Sequence, residues 1–335
     1  MFKPLPAFKN ILVATDFSDS AKSALDAGRW MAQHFHARLK LAHVVRDVFE
    51  SLAVMGYGVG WEPTIDELTS LQKQLRHDAE ERLLALSRAR GPAEVEVQTE
   101  VLSGTPFVEI VRAVETEGID LVVAGTRGLS TFKRVLIGST ASKLARLCPC
   151  PVWIARSEHP EGLKSILVPL DFSAASERAL SHAAVLAKTT GAELHLLHVY
   201  DTDDLHGLLP LSEETKAELA QWRRRARRAA LDRLQHALEA ISDAHGLTAA
   251  IHVIQGTPWK VICATAKRLS ADLIVVGSVG RSGIPGLVVG NTAERVLHHC
   301  ESSLLVVKPA TIHVTQPATI EQAAAPEPAA SLAAP

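Results

Sequence analysis

Short apolar runs bounded by polar or glycine residues alternate with longer stretches of helical spacing along most of this 335-residue chain. Runs such as Ile11-Leu12-Val13-Ala14 and Leu121-Val122-Val123-Ala124 are apolar without a break, as strands buried on both faces are. The pattern predicts strands near 10–16, 38–45, 95–102, 120–125 and 151–155, with helices near 19–35, 64–89, 106–117 and 139–147. Strands follow near 165–170, 193–200, 249–255, 272–277 and 303–307. Pro106 and Pro258 fall where helices begin, a position that does not use the missing N–H.

The second set repeats the first. Ile11-Leu-Val-Ala-Thr-Asp16-Phe-Ser18 returns as Ile166-Leu-Val-Pro-Leu-Asp171-Phe-Ser173, and Asp120-Leu-Val-Val-Ala-Gly125 as Asp272-Leu-Ile-Val-Val-Gly277. Gly-Thr-Pro occurs at Gly104–Pro106 and again at Gly256–Pro258. Such self-similarity marks a duplicated unit. Alternating strands and helices in each copy predict an α/β fold: two tandem Rossmann-like doubly wound domains, each a five-stranded parallel sheet of order 3-2-1-4-5. The domains are expected at 1–157 and 163–309. Residues 310–335, rich in Ala and Pro, lack the periodicity of a packed element and are expected to be a disordered tail. The apolar fifth strands, Pro151–Ala155 and Ser303–Val307, would be open edges unless they pair with each other. An intrachain pseudo-dimer is therefore expected, with a homodimer left open.

Composition narrows the classes of function. With 35 Lys+Arg against 37 Asp+Glu, the chain has no bulk charge to draw nucleic acid or an anionic membrane surface. No apolar stretch approaches the roughly 20 residues that span a bilayer, and Met1–Asn10 has no signal-like apolar core. Four cysteines without paired CxxC spacing argue against a disulfide framework or a structural zinc, so a cytoplasmic location is expected. Cys148-Pro-Cys150 and His298-His299-Cys300 lack the spacing of a metal site. The run Trp222-Arg-Arg-Arg-Ala-Arg-Arg228 sits in a helical stretch that also carries Glu213, Glu214, Glu218, Asp232 and Glu239, and reads as a solvated face.

In an open parallel sheet a ligand sits beyond the carboxyl ends of the strands, where the crossovers change side, here between the first and fourth. Asp16 and Asp171 end the first strands, and Gly125 and Gly277 end the fourth. Behind each of these glycines the spacing is G-x2-G-x9-G: Gly125, Gly128 and Gly138-Ser139, then Gly277, Gly280 and Gly290-Asn291. One such triplet is only suggestive, but two at one place in a repeat indicate a shared loop design. Its last glycine opens a helix whose free N–H groups and positive dipole end favour a phosphate.

These features, with His43-Val44 and His198-Val199 ending the second strands, resemble the universal stress protein family in its tandem form, over about residues 8–309. The resemblance implies the ATP-binding branch, in which loop glycines and the following hydroxyl hold phosphates, the first-strand Asp lies near the nucleoside, and backbone after strand two meets adenine. Carried over, it implicates Asp16, Val44, Gly125, Arg127, Gly128, Gly138, Ser139 and Thr140. In the second half it implicates Asp171, Val199, Gly277, Gly280, Gly290, Asn291 and Thr292. The implied ligand is ATP, with or without magnesium; a metal site of the protein's own is not expected.

The copies differ where charge matters. Arg127, Lys133 and Arg134 become Val279, Pro285 and Gly286, although Arg281 is gained, while Ser139 becomes Asn291 and Ser142 becomes Glu294. Phosphate attraction should weaken in the second half, where Asn291 and Glu294 also have capping-box spacing. Asp16 and Asp171 equally suit a turn or helix cap, and His43 and His198 suit satisfied strand ends better than catalytic bases. Gly56, Gly58 and Gly60 beside Trp61 could form a cover over the site or an idle loop. Neither GxxxxGK[ST] nor HExxH is present, so no strong catalysis is expected, and slow incidental ATP hydrolysis stays compatible. A stress-response module that binds adenine nucleotide and reports to an unknown protein partner is the first reading. A nucleotide-independent interaction or scaffold protein is the alternative.

Overall fold

A computed structural model describes residues 8–50, 64–89, 95–126, 137–156, 162–200, 212–278 and 290–309. The expected tail, the Gly56–Trp61 loop, Arg127, Gly128, Lys133, Arg134, Val279, Gly280, Arg281, Pro285 and Gly286 lie outside the described residues.

In the first half β1 (Asn10–Ala14) is followed by α1 (Asp19–Phe35), β2 (Arg38–Val45), α2 (Ile65–Arg88), β3 (Val97–Ser103), α3 (Pro106–Glu117), β4 (Leu121–Gly125), α4 (Ser139–Leu147) and β5 (Val152–Ala155). The second half runs β6 (Ser165–Pro169), α5 (Ala174–Thr190), β7 (Glu193–Tyr200), α6 (Glu213–His245), β8 (Ala249–Gln255), α7 (Pro258–Arg268), β9 (Leu273–Gly277), α8 (Asn291–His299) and β10 (Ser303–Val307). Pro106 and Pro258 occupy the first turns of α3 and α7. The Arg223–Arg228 run lies on α6, with most of its guanidinium side chains exposed.

The described strands form one ten-stranded sheet of order β3-β2-β1-β4-β5-β10-β9-β6-β7-β8. Pairing is parallel within each half, while β5 and β10 meet antiparallel, with Leu305 opposite Trp153. Apolar strand residues point alternately into two layers. Ile11 and Val13 join α1, α2, α5 and α6 on one face; Leu12 joins α3, α4, α7 and α8 on the other. Both layers run continuously across the two halves.

Aspartates fix the strand starts. Asp120 accepts hydrogen bonds from the backbone N–H of Lys9 and Asn10, and Asp272 accepts them from Lys164 and Ser165. At the join, each half caps a helix of the other. Lys308, 2% exposed after β10, donates to the Ala145 and Arg146 carbonyls in the last turn of α4, and Arg156, after β5, donates to the Leu297 carbonyl of α8. A cation at a helix C-terminus satisfies carbonyls that lack an intrahelical donor and opposes the dipole. Burial pushes the Lys308 ammonium down to about 8, and Cys148 and Cys150 partly counter that shift.

The cysteines correct an expectation drawn from spacing. Cys263 on α7 and Cys300 at the end of α8 form a disulfide, whereas Cys148 and Cys150 are buried free thiols. A separation of 37 residues carries no motif; the packing of α7 against α8 brings the two sulfurs together. Among the described residues no helix is long and apolar enough to cross a membrane.

Candidate functional site

The turn after β1 is built by its own side chains. Asp16 Oδ1 accepts from the Ser18 N–H at 3.1 Å and from the Ser18 hydroxyl at 2.5 Å, and Thr15 Oγ1 accepts from the Phe17 N–H. This holds Phe17 in the left-handed region, φ 64°, at a cost of roughly 1–2 kcal/mol for a residue with a Cβ. The second half repeats the turn: Asp171 Oδ1 accepts from Ser173 N–H and Oγ at 3.0 and 2.6 Å, and Phe172 has φ 61°. Each ring then packs on the histidine ending the next strand, Phe17 on His43 at 4.4 Å and Phe172 on His198 at 4.7 Å.

Nδ1 of His43 donates to the Thr15 carbonyl at 2.8 Å, and Nδ1 of His198 to the Leu170 carbonyl at 2.6 Å. Burial lowers the His43 pKa, so its imidazole is neutral at pH 7. The ring thereby braces the turn.

Gly125 closes β4 against the first turn of α1. A Cβ there would lie 2.5 Å from the Ser20 carbonyl oxygen, and one on Gly277 would lie 2.7 Å from the Ala175 carbonyl carbon. Strand–helix approach therefore demands glycine at both positions, whatever is bound. Gly138 and Gly290 are the N-caps of α4 and α8, with N–H groups donating to Thr126 and Ser278 carbonyls at 2.7 Å. As glycines, these N-caps offer no side-chain oxygen to the first turn of their helices. The leading N–H groups of α4 lie at the positive end of the helix, where an anion is favoured.

A cleft of about 890 Å³ opens over these groups in the first half. It brings together Asp16, Val44, Gly125, Gly138, Ser139 and Thr140 from four separate segments of the predicted set. Its other wall comes from α2, through Leu71, Leu75, Asp78 and Arg82, with Arg46 at the end of β2. Arg82 lies 5.7 Å from the Phe17 ring centroid. None of these α2 residues was singled out from sequence, yet they form one stripe at spacings of four, three and four, beside the core contacts Ala79 and Leu83. The available signal was the helical spacing that puts the exposed Leu71 and Leu75 in line with Asp78 and Arg82.

The second half places Asp171, Val199, Gly277, Gly290, Asn291 and Thr292 at the repeat-equivalent positions. Here Arg233 is seated on Phe172 at 3.9 Å, closer than Arg82 is to Phe17. The capping box suggested by Asn291 and Glu294 is not formed, because Gly290 takes the N-cap. Glu294 instead faces Arg146 of α4 at 3.6 Å, so the extra carboxylate is met by a cation from the other half. Among the described residues no group of three His, Cys, Asp or Glu is placed to hold a metal ion.

Comparison with known proteins agrees with this architecture. The model of the universal stress protein family matches twice, over residues 7–156 and 162–308. Universal stress protein E of Escherichia coli strain K12 is 28% identical over 313 residues, covering 90% of this chain and 94% of that protein. Universal stress protein YxiE of Bacillus subtilis is 34% identical over 153 residues, covering 44% of this chain and 99% of its own. The crystal structure of a universal stress protein from Archaeoglobus fulgidus has the same fold, with TM-score 0.65 at 24% identity over 90% of this chain and 98% of that one. With the family's signature present in both halves of a single sheet, the chain belongs to the universal stress protein family as a tandem, two-domain member.

Proposed function

We propose that this stress-response protein binds an adenine nucleotide, ATP, in the first-half cleft and reports its occupancy to a protein partner in the cytoplasm. The observation that carries this reading is that the first turn of α4, entered through the glycine N-cap Gly138, lines a cleft of ligand size, about 890 Å³. Gly138, Ser139 and Thr140 would hold phosphate through backbone N–H groups and hydroxyls, with the helix dipole favouring the anion. Val44 would meet the base, Asp16 would lie near the nucleoside, and Arg46 and Arg82 supply cations at the walls. Magnesium would arrive with the triphosphate.

Binding rather than catalysis is favoured because the sequence carries neither GxxxxGK[ST] nor HExxH, while His43 braces the turn through Nδ1 on the Thr15 carbonyl. The second half is the weaker nucleotide site on this reading, since Asn291 replaces the hydroxyl of Ser139. The alternative, a nucleotide-independent interaction protein, draws support from Gly125 and Gly277, whose identity strand–helix packing alone explains.

Calorimetric titration of ATP into the full chain and into Gly138→Leu separates the two. Saturable binding lost in the variant, with its circular dichroism unchanged, supports the nucleotide reading. Absence of binding by the unaltered chain, or equal binding by both proteins, rejects the site.

A further inference from the structure

The two halves place a cysteine at the same point and give it different partners. The offset that takes Pro106 to Pro258 also takes Cys148 to Cys300 and Val111 to Cys263. Cys148 and Cys300 are the C-caps of α4 and α8. In the first half the Cys148 thiol is hydrogen-bonded to Cys150 at 3.5 Å without a disulfide, and Val111 occupies the position on α3 that Cys263 has on α7. The helix pair α3–α4 thus packs on the sheet with no covalent link, while α7–α8 carries one. The fold does not require the bond.

Nor is the bond sealed. Cys300 is 3% exposed, but Cys263 is only partly buried, and both line a surface groove of about 500 Å³. Lys267, one turn beyond Cys263 on the same helix face, supplies a cation to that groove, and Ser270, His299 and Ser302 supply polar walls. Two carboxylates also reach it. Asp272 is engaged with the Lys164 and Ser165 N–H groups, and Glu301 faces solvent.

We propose that Cys263–Cys300 is a thiol–disulfide exchange site, opened by a small anionic thiol that enters this groove and attacks Cys263. The incoming thiolate bonds to Cys263 Sγ as the Cys263–Cys300 bond breaks; the electron pair leaves on Cys300, which takes up a proton from water. A second thiolate then attacks the small molecule's sulfur in the mixed disulfide and releases Cys263, which is protonated in turn. Two thiols are oxidised to one small-molecule disulfide, and the protein gains two electrons and two protons. Oxidation by the small-molecule disulfide runs the same steps backwards. The site is separate from the nucleotide cleft, and its test does not depend on nucleotide binding.

The full chain is equilibrated in mixtures of glutathione and glutathione disulfide, quenched with acid, and alkylated under denaturing conditions, with labels counted by mass and placed by peptide mapping. Labels rising from two to four as the mixture becomes reducing, the added pair on Cys263 and Cys300 and the helical circular dichroism unchanged, are expected. Cys263→Val, which installs the residue of the first half, should fold and carry three labels in every mixture, whereas Cys300→Ser, which leaves Cys263 without its partner, should trap the mixed disulfide on Cys263 in oxidising mixtures, seen as one added glutathione mass and one label fewer. Opening of the bond only after denaturant is added, four labels in every mixture, or ratio-dependent labelling that persists in Cys263→Val overturns the proposal.

Discussion

His182 on α5 ties the halves together through a contact that protonation should weaken. Its ring stacks on Phe8 of the first half at 5.3 Å and 11° between planes, is 6% exposed, and leaves a buried Nε2 with no hydrogen-bond partner among the described residues. Burial, reinforced by Arg178, lowers its pKa from 6.5 to about 4. The folded value lies below the unfolded one, so the unfolded chain takes up the proton first as pH falls. Stability is therefore lost from about pH 6.5 downward, and the loss levels off below about pH 4, at about 3 kcal/mol in all. By pH 5 about 2 kcal/mol of that is already gone. His182→Phe keeps an aromatic ring against Phe8 and removes the titration. Urea unfolding of both proteins at pH 7.5 and pH 5 should show the unaltered chain losing about 2 kcal/mol more than the variant. Every other group is common to both proteins and cancels from this difference. Equal losses, or an imidazole that titrates near 6.5 in the folded protein by NMR, would refute the reasoning.

Gly125→Ala drives a Cβ into the Ser20 carbonyl and should destabilise the chain by roughly 1–3 kcal/mol, visible as a lower midpoint in differential scanning calorimetry. An unchanged midpoint would mean that α1 yields freely. Lys308→Met removes the donor to two carbonyls of α4 but also the cost of burying an ammonium, so a net loss of about 1–2 kcal/mol is expected in chemical denaturation. Stabilisation would show that the buried charge costs more than its bonds return. Residues 1–157 expressed alone would expose the β5 edge that β10 covers in the full chain and should dimerise in light scattering. A monodisperse monomer would count against pairing through that edge.

Much of the fold was legible because it is local. Continuous apolar runs and helical spacing marked the strands and helices within a few residues, Asp-Phe-Ser marked the turn that Asp16 and Asp171 close, and the repeated glycines marked the starts of α4 and α8. Asn291 and Glu294 misled because capping-box spacing fits any helix start, and only the backbone shows that Gly290 takes the cap.

The sequence by itself determined the duplication, which the chain shows when set against itself, and the alternation of strand and helix and the chemistry of the turns, which depend on residues within one or two turns of chain. Tertiary structure alone decided that Asp78 and Arg82 of α2 wall the cleft, that Lys308 and Arg156 cap helices of the opposite half, and that Cys263 reaches Cys300. Those contacts join segments far apart in the chain. Periodicity tells which face of an element is buried, but it carries no record of what that face is buried against.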